Sequence, residues 1–216
     1  MKIRHIAAAM AAALVVAVPA AAFAAGPPYK VSVGGSAVYS PSHPITATSV
    51  GSLPHTIRNA SSTIVNVPCT SAQLTGTVTS GTGINPVMVF PSSIWSGCTI
   101  PGGAALMTQG STWNFVGTGS NATASMTDVV AGYVSNVKFT RTTVANPNVC
   151  SFTVEGHMAA SFNEATQRLT VNEVGYTGNL TVTSVSGCLG LIQVGNPFNL
   201  VMTTNVASPD GVIDLA

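Results

Sequence analysis

The stretch CSFTVEGHMA, residues 150–159, alternates apolar with polar side chains at nearly every position. An alternation of period two is typical of a β-strand that buries one face. Similar bursts recur after residue 24, and no segment there has a helical period. The bursts cover residues 31–33, 62–67, 73–79, 86–90, 113–116, 131–140, 150–159, 168–174, 180–185 and 198–206. Gly, Pro and Asn separate them at short intervals. This spacing predicts an all-β fold, an antiparallel β-sandwich or jelly roll.

The first 24 residues are typical of a secretory signal peptide. Lys2 and Arg4 precede an apolar run, and Ala22-Phe23-Ala24 forms the expected cleavage site. The run is shorter than the roughly 20 apolar residues of a membrane-spanning helix. We therefore predict a secreted, extracellular product that has no transmembrane segment.

Residues 25–58 differ from the rest of the exported chain because they are rich in Ser, Thr and Pro and contain no cysteine. We expect them to form an extended arm, followed by a single β-sandwich domain at residues 59–216. A division into two domains near residue 120, with a Gly-rich linker at 117–121, is the alternative. The length favours one domain, because single sandwiches and barrels reach about 200 residues.

Charged residues are scarce: seven basic and six acidic residues make up 6% of the chain, against about 25% in typical soluble domains. Without Lys2 and Arg4 of the leader, five basic residues remain, and they are scattered. Binding to nucleic acid requires clustered Lys and Arg. The composition therefore argues against nucleic acid as a partner and against a polybasic membrane anchor, and it leaves few groups for acid/base catalysis.

Four cysteines remain for an oxidising compartment: Cys69, Cys98, Cys150 and Cys188. An even number in an exported chain predicts two disulfides. Three pairings are possible, and we favour the sequential one, Cys69 with Cys98 and Cys150 with Cys188, because it closes the shortest loops. CxxC spacing is absent and no histidine is near a cysteine in the sequence. We therefore predict no metal site and no other cofactor.

Glu155 and His157 form the best acid/base pair that the sequence offers, because residues i and i+2 of a strand share a face. The residues that could supply a carboxylate pair for glycoside hydrolysis are Asp128, Glu155, Glu164, Glu173, Asp210 and Asp214. We expect the last two to lie in a loosely ordered tail. GxSxG, HExxH, Walker and GxGxxG motifs are absent. We therefore expect Glu155 and His157 to belong to a solvent-facing polar stripe, and we predict no catalytic residue.

Trp95 and Trp113 are the candidate ligand-binding residues, as an aromatic platform for a sugar or a lipid. Both lie near Cys98 in the sequence. A tryptophan beside a disulfide is also typical of core packing in immunoglobulin-like sandwiches. The sequence leaves both interpretations open.

Spaced motifs from Trp95 onward resemble the small secreted bacterial family called protein activator of alkane oxidation. The motifs are Ser96-Gly97-Cys98, Gly110-Ser111-Thr112-Trp113, Cys150-Ser151-Phe152-Thr153-Val154-Glu155-Gly156, Phe162-Asn163-Glu164-Ala165-Thr166-Gln167 and Gly187-Cys188-Leu189-Gly190. The resemblance covers a little over half of the chain. It implies a secreted, non-catalytic protein of the cell surface or biofilm matrix that is linked to growth on hydrophobic carbon sources.

The resemblance carries over the cysteine framework at Cys98, Cys150 and Cys188 and a hairpin turn at 163–167, and it carries over no catalytic residue. The residues before Cys69 have no counterpart in the family. This longer amino-terminal region is a departure from the family pattern.

Two hypotheses for the function follow. The first is a surface or matrix protein that self-associates, for example as a fibre subunit whose arm adds a strand to a neighbour's sheet. Low charge and Thr/Val-rich strands remove the usual protection against edge-to-edge pairing, and an extended arm is a suitable donor strand. The second is a soluble extracellular binding module for an apolar or carbohydrate ligand. An extracellular hydrolase is the least favoured alternative.

Overall fold

The computed structural model describes residues 27–119, 123 and 125–216. The expected signal peptide lies outside them. The strands are β1 (Tyr29–Val33), β2 (Ser40–Ser49), β3 (Thr56–Arg58), β4 (Ile64–Asn66), β5 (Ser71–Ile84), β6 (Met88–Ser96), β7 (Cys98–Ile100), β8 (Gly103–Gln109), β9 (Trp113–Gly117), β10 (Val129–Thr143), β11 (Cys150–Asn163), β12 (Arg168–Glu173), β13 (Leu180–Gly187), β14 (Phe198–Ala207) and β15 (Ile213–Leu215).

All strand pairings are antiparallel, which confirms the predicted all-β antiparallel fold. A short 3₁₀ turn at Cys188–Gly190 follows β13, and the described residues contain no α-helix. In these residues no helix has both the length and the apolar composition needed to cross a membrane.

Eight strands close into a barrel in the order β11-β12-β14-β2-β5-β6-β9-β10, and the pairing of β10 with β11 completes the ring. The sheet is therefore closed, which differs from the expected sandwich or jelly roll. β10 and β11 are 15 and 14 residues long. Along one edge each of these two strands pairs with the other, and along its opposite edge each pairs with two further strands. A sandwich and a barrel have the same alternating pattern, so the pattern alone does not distinguish them.

The ring curves at β-bulges and at glycines where two strands approach closely. Register shifts occur in the β2–β5, β5–β6 and β10–β11 pairs, and a bulge bends its strand and increases the twist. A Cβ on Gly76 would overlap the carbonyl oxygen of Val89, and one on Gly132 would overlap that of Val116. The absence of a side chain at these two positions allows the strands to approach.

Residues 29–58 contribute three strands to the sheet, which differs from the expectation of an extended arm. β2 lies in the ring between β14 and β5, with Ile45 and Ala47 buried and Thr46 and Thr48 on the outer side. β1 pairs with β5 and β15, and β3 pairs with β14. A barrel strand with a solvent face contains polar residues at alternate positions. A composition rich in Ser and Thr therefore does not separate such a strand from an arm.

The carboxyl-terminal residues also belong to the fold. Ile213 and Leu215 of β15 are fully buried and pair with Val33 and Val31 of β1. Asp214 therefore lies in a strand and not in a loose tail. Strands from both sides of residue 120 occur in the ring, since β9 pairs with β10, and the two halves of the sequence share one sheet.

The disulfides join Cys69 to Cys98 and Cys150 to Cys188, which confirms the sequential pairing. All four cysteines are buried. Cys98 begins β7 at one edge of the sheet, and Cys188 follows β13 at another edge. Each bond therefore attaches an element outside the ring to the main body of the fold.

We expect Gly156→Ala to destabilise the barrel by about 3 kcal/mol or more. Gly156 has a φ of +142° and lies opposite the bulge in the β10–β11 pair, the pair that closes the ring. A Cβ added at Gly156 would overlap the Asn179 carbonyl oxygen. Gly175→Ala is the matched control, because its φ of +80° carries the strain but nothing lies within 4 Å of the added Cβ. It should cost about 1 kcal/mol. Denaturant unfolding measures both, and equal losses would contradict a close approach at Gly156.

Candidate functional site

Trp95 and Trp113 both lie in the core, with only 7% and 0% of their surface exposed. Their ring centroids are 6.2 Å apart, and Trp113 is 6.2 Å from the Phe139 ring. The Trp95 indole N–H donates to the Ser93 hydroxyl at 2.8 Å. Of the two interpretations, a binding platform and core packing, this arrangement supports core packing. Neither ring contributes to an exposed aromatic platform.

Arg141 lies beside these rings and is fully buried. It occupies an inward position of β10, two residues after Phe139, which is also inward. The guanidinium donates hydrogen bonds to the carbonyl oxygen of Val67 and to Nδ1 of His55. It also donates to Sγ of Cys69 at 3.2 Å. One side chain thus connects β10 to the segment 53–69.

We call Arg141, His55 and the Cys69–Cys98 disulfide the arginine centre. Aromatic rings surround it. The guanidinium carbon is 5.7 Å from the Phe198 ring centroid and 5.9 Å from that of Phe139, which is within the range of a cation–π interaction. The His55 ring centroid is 5.7 Å from that of Trp95. The cation is therefore enclosed by aromatic faces and by the disulfide.

Burial controls the titration of both bases in the arginine centre. It lowers the pKa of Arg141 to about 9. Burial, and secondarily the charge of Arg141, lower the pKa of His55 well below its usual value. At neutral pH Arg141 is therefore charged and His55 is neutral. A neutral imidazole that accepts the Arg141 hydrogen bond at Nδ1 carries its proton on Nε2.

The positive charge of Arg141 has no carboxylate partner among the described residues. In the described part of the chain, the Asp210 carboxylate lies 2.7 Å from His43 Nδ1 and the Glu155 carboxylate lies 2.9 Å from Lys138 Nζ. Within the same residues, Arg141 Nε and His55 Nε2 are buried without a hydrogen-bond partner. A buried cation without a counter-ion carries a large desolvation cost. Its compensation here comes from a carbonyl oxygen, an imidazole, aromatic faces and a sulfur atom.

Sequence reasoning missed both His55 and Arg141. His55 follows Leu53-Pro54, which predicts a turn, and Arg141 is one of the scattered basic residues. The sequence did contain one signal for the burial of Arg141. Val137, Phe139 and Arg141 lie at every second position of one strand and are all buried, so the arginine continues the inward face that the two apolar residues begin.

The two residues of the candidate acid/base pair contact different partners. The Glu155 carboxylate pairs with Lys138, and the hydrogen bond from Lys138 lowers the pKa of that carboxyl. His157 instead packs edge-on against Tyr133, with ring centroids 6.3 Å apart. Both residues are partly exposed.

Glu164 forms a second buried polar site at the turn between β11 and β12. Its carboxylate accepts the backbone N–H of Leu215 at 2.8 Å. The Gln167 side chain makes two further hydrogen bonds to Ile213. Burial, and secondarily the charges of Asp214 and Asp128, raise the pKa of Glu164 to about 7. This site therefore attaches β15 to the ring.

Asp214 also lines a surface pocket of about 260 Å³. Lys30 and Ser32 of β1 and Met126 contribute to the same pocket. In the described part of the chain, no cluster of three or more His, Cys, Asp or Glu residues is arranged to hold a metal ion.

No family model matches the chain, and no curated protein or solved structure matches it. The resemblance to protein activator of alkane oxidation therefore stays an expectation from the sequence.

We expect Glu164 to lower the free energy of unfolding as the pH rises from about 4.5 to about 7. Glu164 has a folded-state pKa of about 7 against an ordinary value of 4.5. In this window the folded protein holds a proton on Glu164 that the unfolded chain has lost, so raising the pH favours unfolding through this group. His55, whose pKa is lowered by burial, acts in the opposite direction. The effect of Glu164 is therefore measured by urea unfolding as the difference between the wild-type protein and Glu164→Gln at each pH, and this difference should fall across the window.

Glu155→Gln is the matched control for this experiment. The pKa of Glu155 is lowered in the folded protein, so this carboxylate contributes stability that is lost as the pH falls. The difference in unfolding free energy between the wild-type protein and Glu155→Gln should not fall between about pH 4.5 and 7. A difference between the wild-type protein and Glu164→Gln that stays constant with pH would show that Glu164 does not cause the effect.

Proposed function

We propose that this protein is an exported, non-catalytic surface or matrix protein whose copies associate through a charge-poor wall of the barrel. The observation that carries the proposal is the outer surface of β13, β11, β10 and β8. Most of its outward side chains are hydroxyls in register, together with Leu106 and one ion pair, Lys138 with Glu155. We call this surface the hydroxyl wall.

The hydroxyl wall consists of rows that follow the strand register. One row is Ser184, Thr153, Thr140 and Thr108, and the next is Ser186, Ser151, Thr142 and Leu106. The Thr140 and Thr153 hydroxyls share a hydrogen bond of 3.0 Å, and the Thr142 and Ser151 hydroxyls share one of 2.9 Å. These hydroxyls satisfy part of each other's hydrogen-bonding capacity. Less water must then be removed when a second surface covers them.

Charge does not oppose association of two copies. Without Lys2 and Arg4, five basic residues face six acidic ones, and Arg141, Glu164 and Glu173 are buried. A net charge near zero removes the repulsion that keeps proteins apart in solution. Leu106 and Val144, at one end of the hydroxyl wall, are 59% and 66% exposed and add apolar area to it.

This form of association differs from donation of an arm by one copy to another. Within one copy, β2 already pairs on both sides, with β14 and with β5. Donation would require β2 to leave the ring and open the barrel. Packing of two walls requires no such change, so we prefer it.

The test is sedimentation velocity of the protein without residues 1–24 over a range of concentrations, with negative-stain microscopy of the same samples. We expect dimers or larger assemblies. Thr140→Lys with Ser151→Lys should shift the protein to monomers, because adjacent like charges then face the partner. Thr46→Lys with Thr75→Lys is the matched control: it adds the same charge to a cross-strand pair of β2 and β5, on the opposite side of the ring.

A wild-type protein that stays monomeric at the highest concentration would overturn self-association. If both double variants dissociated equally, association would depend on total charge and not on the hydroxyl wall.

The hydroxyl wall also favours a second candidate function, binding of a polysaccharide. Hydroxyls in register can exchange hydrogen bonds with sugar hydroxyls, and Tyr133 on β10 lies partly exposed beside His157. An aromatic ring can add a stacking surface. An apolar ligand between two sheets is less favoured, because the ring interior is filled by side chains such as Phe90, Phe115 and Phe152.

We expect the protein to co-sediment with insoluble cellulose or chitin if this second function holds. Tyr133→Ala should weaken retention, whereas Tyr39→Ala should not, although Tyr39 is 70% exposed. If neither polysaccharide retains the protein, carbohydrate binding is rejected. This result would not affect the proposal of self-association.

A further inference from the structure

We propose that the Cys69–Cys98 disulfide is a thiol-exchange site. A small external thiolate attacks Sγ of Cys98, and Cys69 leaves as a thiolate that the Arg141 guanidinium stabilises. The proposal does not depend on the hydroxyl wall or on self-association.

The leaving group is favourable because Arg141 Nη2 lies 3.2 Å from Sγ of Cys69. In the disulfide form the guanidinium has no anionic partner among the described residues. Reduction would create a thiolate anion at Sγ of Cys69, which the guanidinium already contacts. A charge pair at this distance is strong in a buried site, and a nearby arginine favours the thiolate form of a cysteine. A thiol that ionises more easily is also a better leaving group.

The position of Cys98 explains why it is the sulfur that is attacked. Cys98 begins β7, a three-residue strand at the end of the sheet that pairs with β8. Ser96, Gly97 and Thr99 around it are exposed. Short edge strands open locally at a low free-energy cost. Cys98 is 3% exposed when β7 is closed, so exchange requires this opening.

We expect Cys69 to stay in place when β7 opens. Its backbone N–H donates to the Leu53 carbonyl oxygen at 3.1 Å, and its own carbonyl oxygen accepts from the Leu53 N–H at 2.9 Å. Opening of β7 breaks the hydrogen bond from the Thr99 N–H to the Pro68 carbonyl oxygen, but neither bond between Cys69 and Leu53 involves β7. The two sulfurs of the disulfide therefore have different roles, one accessible after opening and the other fixed beside the cation.

The exchange balances as follows. The external thiolate forms a bond to Sγ of Cys98 while the bond between Cys98 and Cys69 breaks, and the electron pair of that bond goes to Sγ of Cys69. A second external thiolate then attacks the external sulfur of the mixed disulfide and releases Cys98, which takes a proton. In total two thiols become one disulfide, and the protein gains one thiol and one thiolate while one proton enters the solvent.

The second disulfide is an internal control. Sγ of Cys188 lies 3.8 Å from the Ser151 carbonyl oxygen and 3.7 Å from that of Ser186. Carbonyl oxygens accept a hydrogen bond from a thiol and repel a thiolate. Reduction of Cys150–Cys188 therefore lacks the stabilisation that Arg141 offers to Cys69.

The experiment equilibrates the folded protein in buffers of reduced and oxidised glutathione, then measures both disulfides by differential alkylation and mass spectrometry. We expect the ratio of reduced to oxidised protein to be higher for Cys69–Cys98 than for Cys150–Cys188, and the difference to grow as the pH of the buffer rises from about 7 to about 8.5. A thiol pKa lowered by one unit raises this ratio by about tenfold at most, and it does so only where the thiol is ionised. Glutathione should be found on Cys98 and not on Cys69. Arg141→Met should remove the difference, and Arg141→Lys should keep part of it.

A second pair of variants decides the question if Arg141→Met does not fold. Cys98→Ser leaves the Cys69 thiol beside Arg141, and Cys150→Ser leaves the Cys188 thiol beside its carbonyl oxygens. The ultraviolet absorbance of the thiolate, followed against pH, should give Cys69 a pKa below the usual value of about 8.5 and Cys188 a pKa at or above it.

Equal reduction of the two disulfides in the wild-type protein would overturn the proposal. So would a Cys69 thiol that ionises no more readily than the Cys188 thiol. Glutathione on Cys69 in place of Cys98 would contradict the assigned direction of attack.

Discussion

The pairing of β10 with β11 is the constraint on which the rest of the structure depends. These two long strands close the ring and also carry the strands beyond it, because β8 and β9 pair with β10 while β12 and β13 pair with β11. Alternate side chains of these two strands face the barrel interior and the outer surface. Phe139 and Arg141 face the interior, while Thr140 and Thr142 face outward. One hairpin thus provides both Arg141 of the arginine centre and the middle of the hydroxyl wall.

The local features of this fold could be predicted from the sequence. Alternation within 150–159 indicates a strand because the pattern depends only on neighbouring residues. The disulfide pairing follows from the short loops between Cys69 and Cys98 and between Cys150 and Cys188. In both cases the physical cause acts over a short length of chain, so the sequence contains it directly.

The features that sequence reasoning missed depend on contacts between distant residues. Whether a sheet closes depends on pairing at its two ends, and the position of β2 depends on β14, more than 150 residues later. The arginine centre joins residues 55, 69 and 141. Trp95 and Trp113 illustrate the same limit. Their residue type fits a binding platform or a core equally well, and only the surrounding strands decide for the core.

Arg141 is unusual because the chain has few charges and places one of them in its core. A well-packed apolar residue often replaces a buried charge without loss of stability, so packing alone does not explain why this position carries an arginine. The geometry gives one explanation: the guanidinium donates hydrogen bonds in fixed directions to Val67, His55 and Cys69. Apolar contacts tolerate a shift of one strand along another far better than such bonds do. Arg141 therefore specifies how the segment 53–69 docks against β10, and that docking holds Cys69 beside the charge.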